Sequence, residues 1–370
     1  MNRMISPILN FPGCAWLILM WASAASAQAL PMHHLNVPQG FSVRVFAELT
    51  NPRQLARSDA GTIYAGSRRA GNVYAVIDKN QDHVADEVIE IDTGLSLPSG
   101  IAISKGDLYV GAVETIYRYA DIEATFRNTP EPEVFYNELP DKRHHGWKYL
   151  GFGPDDRLYF NVGAPCNICL EENPWFATIM RMDLKDKQPE VYASGVRNSV
   201  GFTWHPETNE LWFTDNGRDL MGDDLPPCEI NRAPEAGMHF GYPHIHGSDV
   251  IDPEFGLANA SFEPPVMELG AHTAPLGLVF YEGTMFPEKY RGKILVAEHG
   301  SWNRSPEAGH VGYRLTLVDP ESGTTETFID GWLQNNVAWG RPVDLLPLPD
   351  GSLLVSDDHG GVIYRISYER

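Results

Sequence analysis

The stretch Phe152-Gly153-Pro154-Asp155-Asp156-Arg157-Leu158-Tyr159-Phe160 decides the fold. A Gly-Pro-Asp turn signal is followed at once by a strand with apolar residues at alternate positions, the signature of a β-hairpin. Five further segments repeat it. Ala56–Ala65, Ile103–Val110, Trp204–Phe213 and Leu348–Val355 each join an apolar residue, a small polar turn and an alternating strand, and Tyr290–Val296 is a divergent copy. Most copies are trailed by a second strand, as in Asn72–Val76, Thr115–Tyr119 and Val362–Ile366. The copies recur about every 45–60 residues, with one gap of about 80 across 209–292. That is the period of propeller blades. The chain is therefore expected to be all-β, a six-bladed β-propeller, with the long gap marking an insertion around residues 219–275. Phe41–Phe46 precedes the first copy and is expected to close the ring by pairing in the last blade, which removes an open sheet edge.

Outside the repeat, residues 1–27 read as a secretory signal peptide. Arg3 precedes an apolar stretch from Cys14 to Ala22, and Ala25-Ser26-Ala27 is a small-residue cleavage site. The apolar run is too short for a comfortable membrane span. A single propeller domain over residues 28–370, exported to the periplasm, is the expectation. The 49 acidic residues exceed the 28 basic ones, giving a formal charge of −21. So acidic a surface excludes nucleic acid and anionic membranes as partners. It also means that any anion site must be assembled from a few placed Arg, His or backbone N–H groups. In an oxidising compartment the Cys166-Asn167-Ile168-Cys169 segment is expected to form a disulfide, leaving Cys228 over.

Several segments carry candidate chemistry. Asp78, Asn80, Asp82 and Asp86 place oxygen-bearing side chains at a spacing that can wrap a structural calcium ion, with a polar inter-strand turn as the alternative. His144 and His145 lie beside Trp147 just ahead of a blade strand, where one imidazole can reach the channel mouth as a general base. Asn216-Gly217-Arg218-Asp219 is a tight turn whose exposed carbonyls a cation can use. His239, His244 and His246 concentrate in the insertion and read as a loop lining the mouth. Arg197, Arg304 and Arg341 stand at strand edges of different blades, and propeller geometry is expected to gather them into an anion-binding ring.

With those residues assembled, the chain resembles the glucose/sorbosone dehydrogenase family, the soluble quinoprotein sugar dehydrogenases, and most closely its sorbosone dehydrogenase branch. The resemblance covers about residues 36–368 and is carried by HHGWKYLGFGPDDRLYFNVGAPCNIC, GVRNSVGFTWHPETNELWFTDNGRD, HFGYP and EHGSWNR. It implies a six-bladed propeller that binds pyrroloquinoline quinone (PQQ) and Ca²⁺ at its channel mouth. The family's catalytic His lies eight residues before the Gly of the Gly-Pro-Asp turn, which is His145. The resemblance further implies PQQ contacts from Arg197 and Asn198, carboxylate contacts from Arg341 and Arg304, and calcium on the main-chain oxygens of Gly217 and Arg218. The glucose-oxidising branch has an Asp supporting its histidine where this chain has Ala164, a Gly-Pro calcium pair where this chain has Gly217-Arg218, and a second Arg where this chain has Val343. The implied activity is a PQQ-dependent oxidation of an aldose or aldehyde-type, sorbosone-like sugar, passing electrons to a respiratory acceptor. Two other readings of the residues stay open: a calcium-dependent lactonase or esterase propeller, and a non-catalytic propeller binding a ligand on its loop face.

Overall fold

Each repeat of the sequence is the turn between the first and second strands of a four-stranded antiparallel blade. The computed structural model describes residue 1 and residues 30–257 and 260–369; apart from Met1, the export signal read over residues 1–27 lies outside the described residues. Six blades follow in chain order, with inner strands Pro52–Arg57, Gly100–Ser104, Leu150–Phe152, Phe202–Trp204, Pro275–Phe280 and Pro342–Pro347. In the third blade, for example, Leu150 pairs with Phe160 and Phe152 with Leu158, so the Gly-Pro-Asp turn closes a tight hairpin. The strand Phe41–Glu48 pairs antiparallel with Val362–Tyr368 and becomes the outer strand of the sixth blade. That pairing closes the ring as the sequence pattern requires.

Burial explains the composition of the strands. The second strands Ile63–Ser67, Leu158–Val162, Leu211–Asp215, Ile294–Glu298 and Leu353–Asp357 are buried at every position. Neighbouring blades cover both of their faces, so apolar residues are favoured on each. Outer strands face water on one side and alternate, as in Glu87–Asp92. Interblade clusters such as Tyr159, Tyr192, Phe202 and Phe213 fill the wedge between adjacent sheets.

The long gap between the fourth and fifth copies has two sources. The fourth blade's outer strand, Met267–Ala271, is separated from its third strand, Pro227–Ala233, by a segment that first pairs Met238–His239 in parallel with Pro189–Ser194 of the third blade. A small hairpin, Ile245–His246 with Val250–Ile251, follows. The fifth blade also has a long turn between Phe280 and Ile294. Antiparallel alternation sends the segments that enter inner strands and those that leave second strands to the same face of the ring. The site is built there.

Candidate active site

Segments of five of the six blades converge on a cavity of about 460 Å³ at that face, within the usual range for small-molecule sites. His145 and Trp147 come from the segment entering the third blade, and Arg197 and Asn198 from the segment entering the fourth. Arg341 enters the sixth, and Arg53 begins the first. From segments leaving second strands come Arg68, Arg69, Asn216, Gly217, Asp219, His299, Trp302 and Asn303.

His145 sits on the turn closed by the Gly146 amide donating to the Arg143 carbonyl at 3.2 Å. Its φ is +49°, a strained value for a non-glycine residue and one that clusters at functional sites. The ring is buried, and its Nδ1 lies 2.8 Å from the Ala164 carbonyl oxygen. A carbonyl only accepts, so Nδ1 carries the proton and Nε2 is left with its lone pair. Burial first, then the charge of Arg197, holds the imidazole well below its ordinary pKa and hence neutral. The family's glucose-oxidising branch uses a carboxylate at this place. Here the main chain of Ala164 does the orienting, and its amide in turn donates to the Arg197 carbonyl at 2.8 Å. Gly163 makes the close approach possible: a Cβ there would fall 2.6 Å from the His145 Cβ and 3.4 Å from Asn198 Oδ1.

Arg197 and Asn198 are pinned through their backbones. Their amides donate to Asp215 Oδ2 and Oδ1, each at 2.7 Å, and Asp215 ends the second strand of the same blade. The Arg341 amide is held in the same way by Asp357 at 2.8 Å, and the Tyr149 amide by Asn161 at 2.6 Å. A buried polar side chain near the end of the second strand thus fixes the entry to the inner strand in three blades. Burial pushes the Asp215 carboxyl up to about 6. Its neighbour Glu229, buried and facing that charge, rises to about 8.

The cavity wall is cationic within an acidic protein. Arg53 pairs with Asp358 at 3.0 Å, and His299 reaches the same carboxylate at 2.7 Å. The Arg68 guanidinium stacks 3.7 Å over the Trp147 ring, an arrangement that orients it at little cost in freedom. Burial and then Arg53 lower its pKa to about 10. Arg341 donates to the His299 and Gly300 carbonyls at 2.8 and 2.5 Å. Four buried polar atoms of lining residues have no partner: Arg53 Nε, Arg68 Nε, Trp147 Nε1 and Asn198 Oδ1. Orphaned polar atoms are rare and costly. Three of these four are donors, which suits a bound polyanion.

The structure sorts the expected residues. His145, Arg197, Asn198, Arg341 and Gly217 share the cavity. The Arg218 side chain turns away and pairs with Asp252 at 2.5 Å, so only its backbone belongs to the turn. Arg304 is not brought to the cavity: its Nε donates to the Gly309 carbonyl at 2.7 Å, and its other end is tied to Asp223 and Asp224. The loop folds back on itself, so strand register does not transmit to Arg304. Asp78, Asn80, Asp82 and Asp86 lie on the opposite face, where their oxygens accept the turn's own amides. Among the described residues no group of three or more His, Cys, Asp or Glu side chains is arranged to hold a metal. Of the three insertion histidines, His239 and His244 line a separate recess, and His246 is bound to Asp252 at 2.9 Å. Cys166 and Cys169 form the expected disulfide, and Cys228 is a buried free thiol. Arg53, Arg68 and Arg69 line the cavity though motif reading passed over them, and Trp302 lies in the EHGSWNR motif, where only Arg304 was given a role. Their signal was positional, since each sits at an inner-strand start or beyond a second-strand end, like the residues found.

Comparison with known proteins agrees with this geometry. Residues 171–299 match the family described as Glucose / Sorbosone dehydrogenase, and residues 254–369 match the TrAA12-like family. A protein of Borreliella burgdorferi without an assigned function is 36% identical over 91% of each chain. A pyrroloquinoline quinone-dependent pyranose dehydrogenase of Coprinopsis cinerea is 26% identical over 91% of this chain, which spans 55% of that enzyme's length. The calcium structure of a Trichoderma reesei carbohydrate-active enzyme of family AA12 superposes with a TM-score of 0.76 at 18% identity, covering 93% of this chain and 100% of that one. The chain belongs to the glucose/sorbosone dehydrogenase family.

Proposed function

We propose that this protein is a periplasmic PQQ-dependent dehydrogenase that oxidises an aldose or aldehyde-type, sorbosone-like sugar, with His145 as general base and electrons passing to a respiratory acceptor. The observation that carries the reading is the set of unpartnered buried polar atoms around one cavity, three of them donors, beside a histidine whose tautomer is fixed. PQQ is a tricarboxylate with ring carbonyls, and Arg53, Arg68, Arg197 and Arg341 supply the cationic donors that such a group needs. The Gly217 and Arg218 main-chain oxygens are the proposed calcium ligands, consistent with the hard oxygen donors that calcium takes. Bound there, PQQ supplies a two-electron acceptor for a hydride, and calcium supplies Lewis acidity toward its carbonyl.

The chain's own residues do the rest. His145 Nε2 accepts the proton of the sugar's anomeric hydroxyl, or of an aldehyde hydrate, while Nδ1–H keeps its bond to Ala164. The resulting imidazolium is stabilised by that carbonyl. Trp302, 71% exposed at the cavity rim, offers a flat aromatic face to a sugar ring. Asn198 and Trp147 orient polar groups beside His145, so binding converts reaction into an intramolecular event.

The test is an absorbance titration of the purified protein with PQQ in the presence of Ca²⁺, followed by dye reduction on a panel of aldoses and sorbosone. Saturable binding and sugar-dependent dye reduction are expected. No binding at any PQQ concentration overturns the reading.

A further inference from the structure

Cys166-Asn167-Ile168-Cys169 leaves the third blade behind the cavity wall, and none of its four residues lines the cavity. Asn167 nevertheless bonds to two separate parts of the site. Its carbonyl accepts from Arg197 Nε at 2.8 Å, and its Oδ1 accepts from Arg197 Nη2 at 3.0 Å. The same Oδ1 accepts the Asp219 amide at 2.8 Å, while Nδ2 donates to the Asp219 carbonyl at 3.0 Å. The remaining terminal nitrogen of Arg197 donates to the Asn216 carbonyl at 2.9 Å. The guanidinium is thus held between Asn167 and the residue directly before Gly217. Asn167 joins the arginine of the fourth blade's entry to the turn that carries Gly217 and Arg218.

The loop that presents Asn167 is itself braced. The Cys166–Cys169 disulfide closes it. The Cys169 amide donates to the Tyr242 hydroxyl at 3.1 Å, and that hydroxyl lies 3.4 Å from Cys166 Sγ. An arginine is long and rotamer-rich, and a ligand that must order it loses affinity in doing so. A side chain fixed beforehand spares the ligand that cost.

We propose that Asn167 is a positioning residue that presets Arg197 and the Asn216–Asp219 turn for the cofactor, and that the Cys166–Cys169 disulfide holds Asn167 in place. The proposal rests on the quinone reading above. It assigns the C-x-x-C segment a role in cofactor affinity, which a purely structural disulfide would not have.

The experiment is a double-mutant cycle read as the PQQ dissociation constant at saturating Ca²⁺. Each variant is first checked for folding by far-ultraviolet circular dichroism and melting temperature. Asn167→Ala is expected to raise the constant at least tenfold in the wild-type background and by a distinctly smaller factor in an Arg197→Ala background, where only its hold on the Asn216–Asp219 turn is left to lose. The Cys166→Ser/Cys169→Ser variant, which leaves Asn167 and Arg197 in the chain, is expected to raise it in the same direction. Equal losses from Asn167→Ala in both backgrounds, or unchanged affinity in either Asn167→Ala or the serine variant, overturn the positioning role while leaving the quinone reading intact. Failure of the wild-type protein to bind PQQ overturns both.

Discussion

At the scale of single residues, the His145 ring is oriented by the Ala164 carbonyl, where the resemblance implies a carboxylate in the glucose-oxidising branch. A supporting carboxylate would raise the basicity of the imidazole. A neutral carbonyl fixes the tautomer and adds less. With burial and Arg197 both opposing protonation, His145 stays unprotonated below its ordinary pKa of 6.5. Turnover by the PQQ-loaded enzyme is therefore expected to hold on the acid side, with no fall in kcat/KM at or above pH 6.5 attributable to this group. An acid limb centred at pH 6.5 or higher would contradict that assignment. His145→Ala is expected to lower kcat by about 10²–10⁴-fold, the usual worth of a general base. PQQ affinity should change by less than about threefold, because the cationic wall that holds the carboxylates is untouched. A loss of affinity as large as the loss of turnover would make His145 a cofactor-binding residue instead.

At the scale of elements, the site works because the second strand of a blade and the entry to its inner strand meet at one face and are locked by a buried side chain. Asp215 is the clearest instance, since each carboxylate oxygen takes one amide. An asparagine has a single acceptor oxygen, so Asp215→Asn leaves one buried N–H facing an amide donor. That costs about 1–3 kcal/mol, and it falls on the segment that carries Arg197 and Asn198. A melting temperature lowered by several degrees and a PQQ constant raised tenfold or more are expected, read by thermal scan and absorbance titration. Wild-type affinity in a folded Asp215→Asn protein would show that the lock does not shape the site. The same element logic explains what was legible in the sequence. Turn-plus-strand copies announce blades because local turn chemistry and period-2 burial are both local signals. The His145 and Arg197-Asn198 motifs were found because they directly precede such copies. Arg341 was legible in the same way, just ahead of the last copy, whereas Arg53, Arg68 and Arg69 become neighbours of the cavity only once the ring closes, which no local pattern encodes. Arg304 went the other way: its motif is conspicuous, but a loop that hydrogen-bonds to itself carried it off the wall.

At the scale of the whole molecule, the ring is tied across its axis beneath the cavity by a few buried polar groups. Gln54 Oε1 accepts the Ile101 and Leu150 amides at 2.9 and 2.8 Å, joining the first blade to the second and third. Asp344 of the sixth blade accepts the Leu55 amide at 2.8 Å and the Tyr149 hydroxyl at 3.2 Å, joining the first and third. Gln54 and Asp344 are both buried on inner strands. Burial pushes the Asp344 carboxyl up to about 7, against about 3.9 in an unfolded chain. A carboxyl raised on folding contributes stability that is fully present below the unfolded value and lost as pH rises through the folded one. Between pH 4 and 7 that loss amounts to about 4 kcal/mol for a shift of this size. Asp344→Asn keeps both bonds, with its oxygen accepting from Leu55 and its amide donating to the Tyr149 oxygen, and it has nothing to titrate. Other titrating groups, such as His145 with its lowered pKa and Glu229 with its raised one, act alike in both proteins and cancel in the comparison. The variant is therefore expected to gain on wild type steadily as pH rises from 4.5 to 7.5, read as the difference between their melting temperatures. A difference that stays flat across that window would mean that Asp344 is ionised in the folded ring at all these pH values, with its charge carried by the Leu55 and Tyr149 donors.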